Sequence, residues 1–122
     1  MVSADHETEE LDAIFEALAN RHRREIVYVL GLHPCSISQL ADMRGLSLPA
    51  IHKHIGVLER ADLVSRRKLG RSNFLTLNRQ SLRGVQDWLG QYHAYWGSEK
   101  ETLENYAAYL GADRSPTREK HQ

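Results

Sequence analysis

His52, Lys53 and His54 stand side by side in the segment Leu-Ser-Leu-Pro-Ala-Ile-His-Lys-His-Ile, and Arg66, Arg67, Lys68 and Arg71 follow closely along the chain. Imidazoles and cationic side chains at this density suit hydrogen bonding to base edges and neutralisation of phosphates. They do not suit bond breaking. No Gly-rich phosphate loop, no Cys-His or Ser-His-Asp arrangement and no carboxylate pair in an apolar setting accompanies them. An enzyme is therefore not expected.

The surrounding residues predict elements that would present these groups. Ile37, Leu40, Ala41 and Met43 keep apolar groups on one side of a short helix, and Gly45 supplies a left-handed position at which the chain can turn. Ser47 is a good N-cap for a second helix, with Pro49 in its first turn, where a missing N–H costs nothing. Ile51, Ile55 and Leu58 then fall at i, i+4 and i+7, which pins one face to a core and leaves Pro49, Ala50, His52, Lys53 and Gly56 on the opposite one. Ala41 permits close approach of the two helices. The pattern is that of a helix-turn-helix whose second helix enters the major groove N-terminus first.

Residues 63–68 and 73–77 read as strands around a four-residue loop, Leu69-Gly70-Arg71-Ser72, and so as a basic hairpin, a wing beside the reading helix. Arg66, Arg67, Lys68 and Arg71 could there lie along phosphates, or merely keep an exposed hairpin soluble and unpaired.

From Leu18 to Leu77 the chain resembles the ArsR-type winged helix-turn-helix bacterial regulators. Leu-Ala-Asn-Arg-His-Arg-Arg-Glu-Ile-Val is similar to that family's first block, the His-Lys-His segment to its recognition helix, and Gly-Arg-Ser-Asn-Phe-Leu-Thr-Leu to its wing. The resemblance implies a sequence-specific DNA-binding transcriptional regulator, a homodimeric repressor on a pseudo-palindromic operator. Arg44 stands where such motifs usually carry leucine; Met43 is expected to fill the gap and leave Arg44 in solvent.

Charge supports the assignment once it is read regionally. The chain has 122 residues and a formal net charge of zero. Residues 1–19 hold six acids and no Lys or Arg, whereas residues 44–79 hold eight basic side chains against two acids. Positive charge thus lies where contact with DNA is expected. No apolar run reaches the roughly 18 residues of a membrane span, the acidic start does not read as a signal peptide, and the single cysteine, Cys35, fits a reducing compartment, so a cytoplasmic protein is expected.

The expected fold is mainly α with a small β-hairpin, an α+β winged helix-turn-helix with dimerisation helices at both ends. Residues 1–10 read as a flexible acidic N-terminus, 11–111 as a single domain and 112–122 as a disordered tail. Asn20 is the expected N-cap of a helix carrying Ile26, Val27 and Leu30. After the wing, Leu82, Val85, Leu89, Tyr92, Trp96, Leu103, Tyr106 and Leu110 follow a 3,4 spacing in which Glu99 is the one polar member. A continuous helix over 80–111 would carry this coiled-coil seam for about 42 Å. A partner copy is its natural cover, together with Leu11, Ile14, Phe15 and Leu18. Gly97, followed by the Ser98–Glu101 capping box, allows instead a break into helices 80–96 and 98–110.

The familial metal sites are not matched. Ser36 and Ser38 occupy the places of one Cys-x-Cys pair, and serine lacks the thiolate a soft metal needs; Asp87 and His93 lack the spacing of the other site. His33 and Cys35 are two potential ligands where four are needed, and His52 and His54, two apart on a helix, face different ways. No metal and no cofactor is expected.

The expected DNA contacts are Ser47, Leu48, Pro49, Ala50, His52 and Lys53 on the recognition helix, with Arg66, Arg67, Lys68 and Arg71 on the wing. His54 either faces phosphate or caps the core. The tip of this helix is apolar, suited to thymine methyls. Two alternatives remain at this level: a ligand- or redox-responsive regulator using Cys35 or the aromatic seam, and a winged-helix protein-interaction module without DNA contact.

Overall fold

The computed structural model describes residues 4–95 and 97–113. In chain order they form α1 (Ala4–Leu18), α2 (Arg21–Leu32), β1 (Cys35–Ser36), α3 (Ile37–Arg44), α4 (Leu48–Arg60), β2 (Val64–Leu69), β3 (Ser72–Leu77), a 3₁₀ turn (Arg79–Leu82), α5 (Arg83–Tyr95) and α6 (Glu99–Asp113). The mainly helical fold with a small antiparallel sheet is that of a winged helix-turn-helix. Two compact units divide the chain, the first running to Val85 and the second beginning at Gln86, where the sequence predicts one domain over 11–111.

The first unit is built around one apolar core. Ile26 of α2, Cys35 of β1, Leu40 of α3, Ile51, Ile55 and Leu58 of α4, then Leu63 and Leu75, are fully buried, and Ile14, Ala17, Leu30, Ile37, Ala41 and Val64 complete the cluster. Burying each large aliphatic side chain of this set is worth about 1.5–3 kcal/mol. Asn20 caps α2 by accepting from the Arg23 backbone N–H at 3.2 Å.

The sheet has three strands in the order β1-β3-β2, one more than the expected hairpin. β1 pairs Cys35 with Leu75 and Ser36 with Phe74. Two residues carry no alternation that a sequence could reveal; the strand exists because α2 delivers the chain beside β3. The hairpin is also tighter than expected. Leu69 pairs with Ser72, so the turn is Gly70-Arg71 alone, with Gly70 at φ +63° and Arg71 outside the positive-φ region, the pattern of a II′ turn.

The N-terminal helix departs from its expected start, because α1 begins at Ala4 within the segment read as flexible to residue 10. Its inner face corrects the expected dimer surface. Ile14 is 5% exposed inside the protomer's own core, and Leu18, Leu82 and Val85 pack partly buried against the same cluster. Leu11 is half-buried; Phe15 is exposed. A face at i, i+3, i+4, i+7 needs only some apolar cover, and here α2 and α4 supply it from within the chain.

The second unit corrects the continuous helix and supports the broken one. Gly97 has φ +69°, the Ser98 Oγ accepts from Glu101 N–H, and Glu101 Oε1 accepts from Ser98 N–H, a capping box that starts α6. A Cβ at Gly97 would collide with the Glu101 side chain. Leu103, Tyr106 and Tyr109 of α6 are 63%, 59% and 64% exposed, and Leu89 of α5 is exposed as well. Trp96, the side chain of Tyr92 and the expected tail from 114 onwards lie outside the described residues; Ala112 and Asp113, also assigned to that tail, close α6. Among the described residues no helix is long and apolar enough to cross a membrane.

Candidate nucleic-acid interface

The turn between α3 and α4 is formed as the residue types require. Gly45 has φ 64° and ψ 35°, and its N–H returns to the carbonyls of Ala41 and Asp42. No atom lies within 4 Å of a Cβ built there, so backbone conformation rather than space demands glycine. Leu46 N–H closes the turn on Ala41 carbonyl at 2.9 Å. Ser47 Oγ then accepts from Ala50 N–H at 3.3 Å, and Pro49 occupies the first turn of α4.

α4 has one buried face and one open one. Ile51, Ile55 and Leu58 are fully buried, whereas Ser47, Leu48, Pro49, His52 and Lys53 are exposed and Ala50 half-exposed. Leu48 is 51% exposed at the first position of the helix, an unusual place for a leucine. The expected base-reading residues are thus presented together on the N-terminal half of the helix.

His54 stands apart from that group. It is half-buried against α2, its Nδ1 lies 3.2 Å from an Arg23 guanidinium nitrogen, and its ring lies 5.5 Å from that of His22. Burial, then the charges of Arg23, His22 and Lys53, hold its pKa below the usual imidazole value. Of the two orientations open to His54, the structure takes the inward one.

Arg44 corrects a second expectation. Met43 is the exposed residue, Leu46 packs on the core, and Arg44 donates from Nε to His22 Nδ1 at 3.2 Å while lying 4.0 Å from Glu25. The guanidinium is long enough to reach α2 along the helix surface, so the leucine position is filled from one residue beyond the glycine. Ser36, at the place of a familial cysteine, is the N-cap of α3, in a capping box with Gln39.

The wing does not present its four bases alike. Side chains alternate along a strand, and partners across a ladder share a face. Arg66 opposes Leu75 and Lys68 opposes Asn73, placing both on one face, while Arg67 opposes Phe74 on the other; Arg71 is exposed in the turn. Arg66 is also committed. It donates from Nε to Glu59 Oε2 at 2.7 Å and from a terminal nitrogen to Oε1 at 3.3 Å, a two-pronged ion pair joining the wing to the end of the recognition helix. Arg67, Lys68 and Arg71 remain as cations open to a phosphate.

Residues that escaped the sequence reading fix the angle between helix and wing. Asp62, at φ 61°, follows α4 in a left-handed conformation, and its carbonyl accepts from Asn78 Nδ2 at 3.0 Å and Ser81 Oγ at 2.6 Å. Leu63 N–H binds the Leu58 carbonyl and Asn78 N–H binds the Leu63 carbonyl, at 2.9 and 2.8 Å. The one signal available for this knot is Asp, which tolerates positive φ, directly after a helix.

Cys35 is fully buried, 3.5 Å from His33 Nδ1, and burial pushes its pKa up. A buried thiol that resists ionisation is a poor sensor of oxidants. Among the described residues no three His, Cys, Asp or Glu side chains come together as a metal site would require.

A family described as a helix-turn-helix domain matches residues 18–67. An uncharacterised HTH-type transcriptional regulator of Methanocaldococcus jannaschii is 45% identical over 49 residues, 40% of this chain and 52% of the relative, so the chain spans about half of that protein's length. The transcriptional repressor SdpR of Bacillus subtilis is 24% identical over 79 residues, 65% of this chain and 88% of SdpR. Among solved structures, the crystal structure of an ArsR family transcriptional regulator superimposes with a TM-score of 0.69 at 30% identity, covering 81% of this chain and 99% of the other.

Proposed function

Because this chain belongs to the ArsR family of transcriptional regulators, we propose that it represses transcription as a homodimer bound to a pseudo-palindromic operator. It is a DNA-binding regulator of the winged-helix type. The observation that carries it is the start of α4, where Ser47, Leu48, Pro49, His52 and Lys53 are exposed on a helix whose other face, Ile51, Ile55 and Leu58, is fully buried, with the basic wing following it in the chain. Ser47, Leu48, Pro49, Ala50, His52 and Lys53 read the major groove, Leu48 and Pro49 by contact with thymine methyls. Arg67, Lys68 and Arg71 neutralise phosphates.

Leu89, Leu103, Tyr106 and Leu110, exposed in the single chain, support a second copy as the cover of α5 and α6. Two recognition helices would then stand about 34 Å apart, one turn of DNA. Repression is favoured by the name of the Bacillus subtilis relative. The protein acts without catalysis, in the cytoplasm, with DNA and itself as partners.

Selection of bound fragments from the source genome tests this reading. A recovered duplex with two inverted half-sites should bind at least about 10³-fold more tightly than random DNA at physiological salt. Affinity equal to that for random DNA would refute it.

A further inference from the structure

We propose that Arg23 and Arg44 position the recognition helix by donating to two unprotonated imidazole nitrogens, His54 Nδ1 and His22 Nδ1, so that acidification releases the DNA-reading face. The inference rests on the DNA-binding reading above, and concerns how the reading helix is held rather than what it touches.

The geometry permits one direction for both hydrogen bonds. A guanidinium has donors and no acceptor, so each Nδ1 must accept and each ring must carry its proton on Nε2. Arg23 is anchored independently: its Nε donates to the Ala17 carbonyl at 2.6 Å, and a terminal nitrogen donates to the Glu16 carbonyl at 3.3 Å. Both carbonyls belong to the last turn of α1, where the negative end of the helix dipole favours a cation. One side chain of α2 therefore ties the end of α1 to the middle of α4.

The groups around the pair are predominantly positive. α2 contributes Arg23, His22 and Glu25, α3 contributes Arg44, and α4 contributes His54 itself and Lys53; α1 contributes the Glu16 and Ala17 carbonyls that accept from Arg23. Glu25 is an acid engaged with the cluster, 4.0 Å from Arg44. From β2, Arg66 is paired with Glu59 near the far end of α4. A proton on either Nδ1 would turn an acceptor into a donor facing a donor and add a cation among cations. Burial first, and then the charges of Arg23, His22 and Lys53, already hold the His54 pKa below the usual imidazole value.

The consequence has an unusual sign. A DNA-binding surface that gains protons ordinarily binds DNA more tightly. Here acid should weaken binding.

The test uses the full chain and the duplex most enriched by it from random-sequence DNA at about pH 7.5, with affinity measured at constant salt there and at about pH 5.5, across the imidazole range. Wild-type affinity should fall about tenfold or more in acid. His54→Ala and Arg23→Ala should be weak at both pH values. His54→Asn places Oδ1 where Nδ1 stands and cannot titrate, so it should rescue binding and remove most of the acid loss; adding His22→Asn should flatten the profile. Wild-type binding that is unchanged or tighter in acid overturns the proposal, as does an acid loss of the same size in the double Asn variant. If no duplex is enriched, the DNA reading fails, and the hydrogen bonds are judged by amide exchange along residues 48–60. Faster exchange in acid, after correction for intrinsic rates, supports them; unchanged protection refutes them.

Discussion

The ion pair between Arg66 and Glu59 makes a sharp prediction, because residue type alone places Arg66 among the phosphate contacts and the folded chain gives it another partner. Each phosphate neutralised on duplex DNA releases counterions and adds about 0.9 to the magnitude of the slope of log K against log salt. Arg67, Lys68 and Arg71 are exposed cations, so replacing any one that contacts phosphate should lower that magnitude by about 0.9. Arg66 reaches Glu59 with two hydrogen bonds, at 2.7 and 3.3 Å, and its charge is already balanced. Arg66→Ala should therefore change the slope by less than about 0.3, a third of one contact. Its stability cost should also be small: the two side chains retain 37% and 31% of their exposure, and so screened a pair is worth about 0.5–1 kcal/mol even with good geometry. Salt titrations of duplex binding by fluorescence anisotropy, with thermal melts of each variant, measure both quantities. A full-unit loss of slope in Arg66→Ala would show that Arg66 leaves Glu59 for the DNA and would refute the reasoning.

Four further outcomes follow from the packing. Ile51→Ala removes a fully buried side chain between α3 and the core and should cost about 2–5 kcal/mol, read as a lowered denaturation midpoint. Cys35 should resist alkylation in the native protein at neutral pH and react once the chain is unfolded by denaturant, since burial and a raised pKa both suppress the thiolate; rapid native labelling would contradict this. Leu103→Glu with Tyr106→Glu places charge on exposed apolar positions of α6 and should convert a dimer to monomer in sedimentation while the first unit keeps its melting transition. Stability should decline with acid through His54. Its folded pKa lies below the unfolded value, so the unfolded chain binds more protons in the interval beneath about pH 6.5; the contribution is full above that value and is lost as pH falls toward the folded pKa. His54→Asn should flatten that part of a stability-against-pH curve.

Much of this molecule is local in origin and was legible for that reason. Ser47, Pro49 and the Ile51, Ile55, Leu58 stripe define a capped amphipathic helix from neighbours alone, and Gly45 and Gly70 mark positions where backbone sterics admit little else. Asn20 as a cap and the break at Gly97 before the Ser98–Glu101 box belong to the same class. The exposed reading face of α4 follows from these features, because a helix pinned on one side must present the other.

Partners far apart in the chain were fixed by the fold alone. Arg23 meets His54 across 31 positions, Arg44 meets His22 across 22, and β1 exists only beside β3. A long cationic side chain can serve a phosphate, a carboxylate or an imidazole equally well, so residue type could not distinguish Arg71, exposed in the turn, from Arg66, held by Glu59. Likewise an apolar stripe demands cover without naming it: Ile14 found its cover inside the protomer, while Leu103 and Tyr106 remain exposed. Local sterics and periodicity determined which elements form and which face of α4 stays open; the choice of partner for each long or charged side chain waited on the fold, because that choice depends on distances the linear chain does not contain.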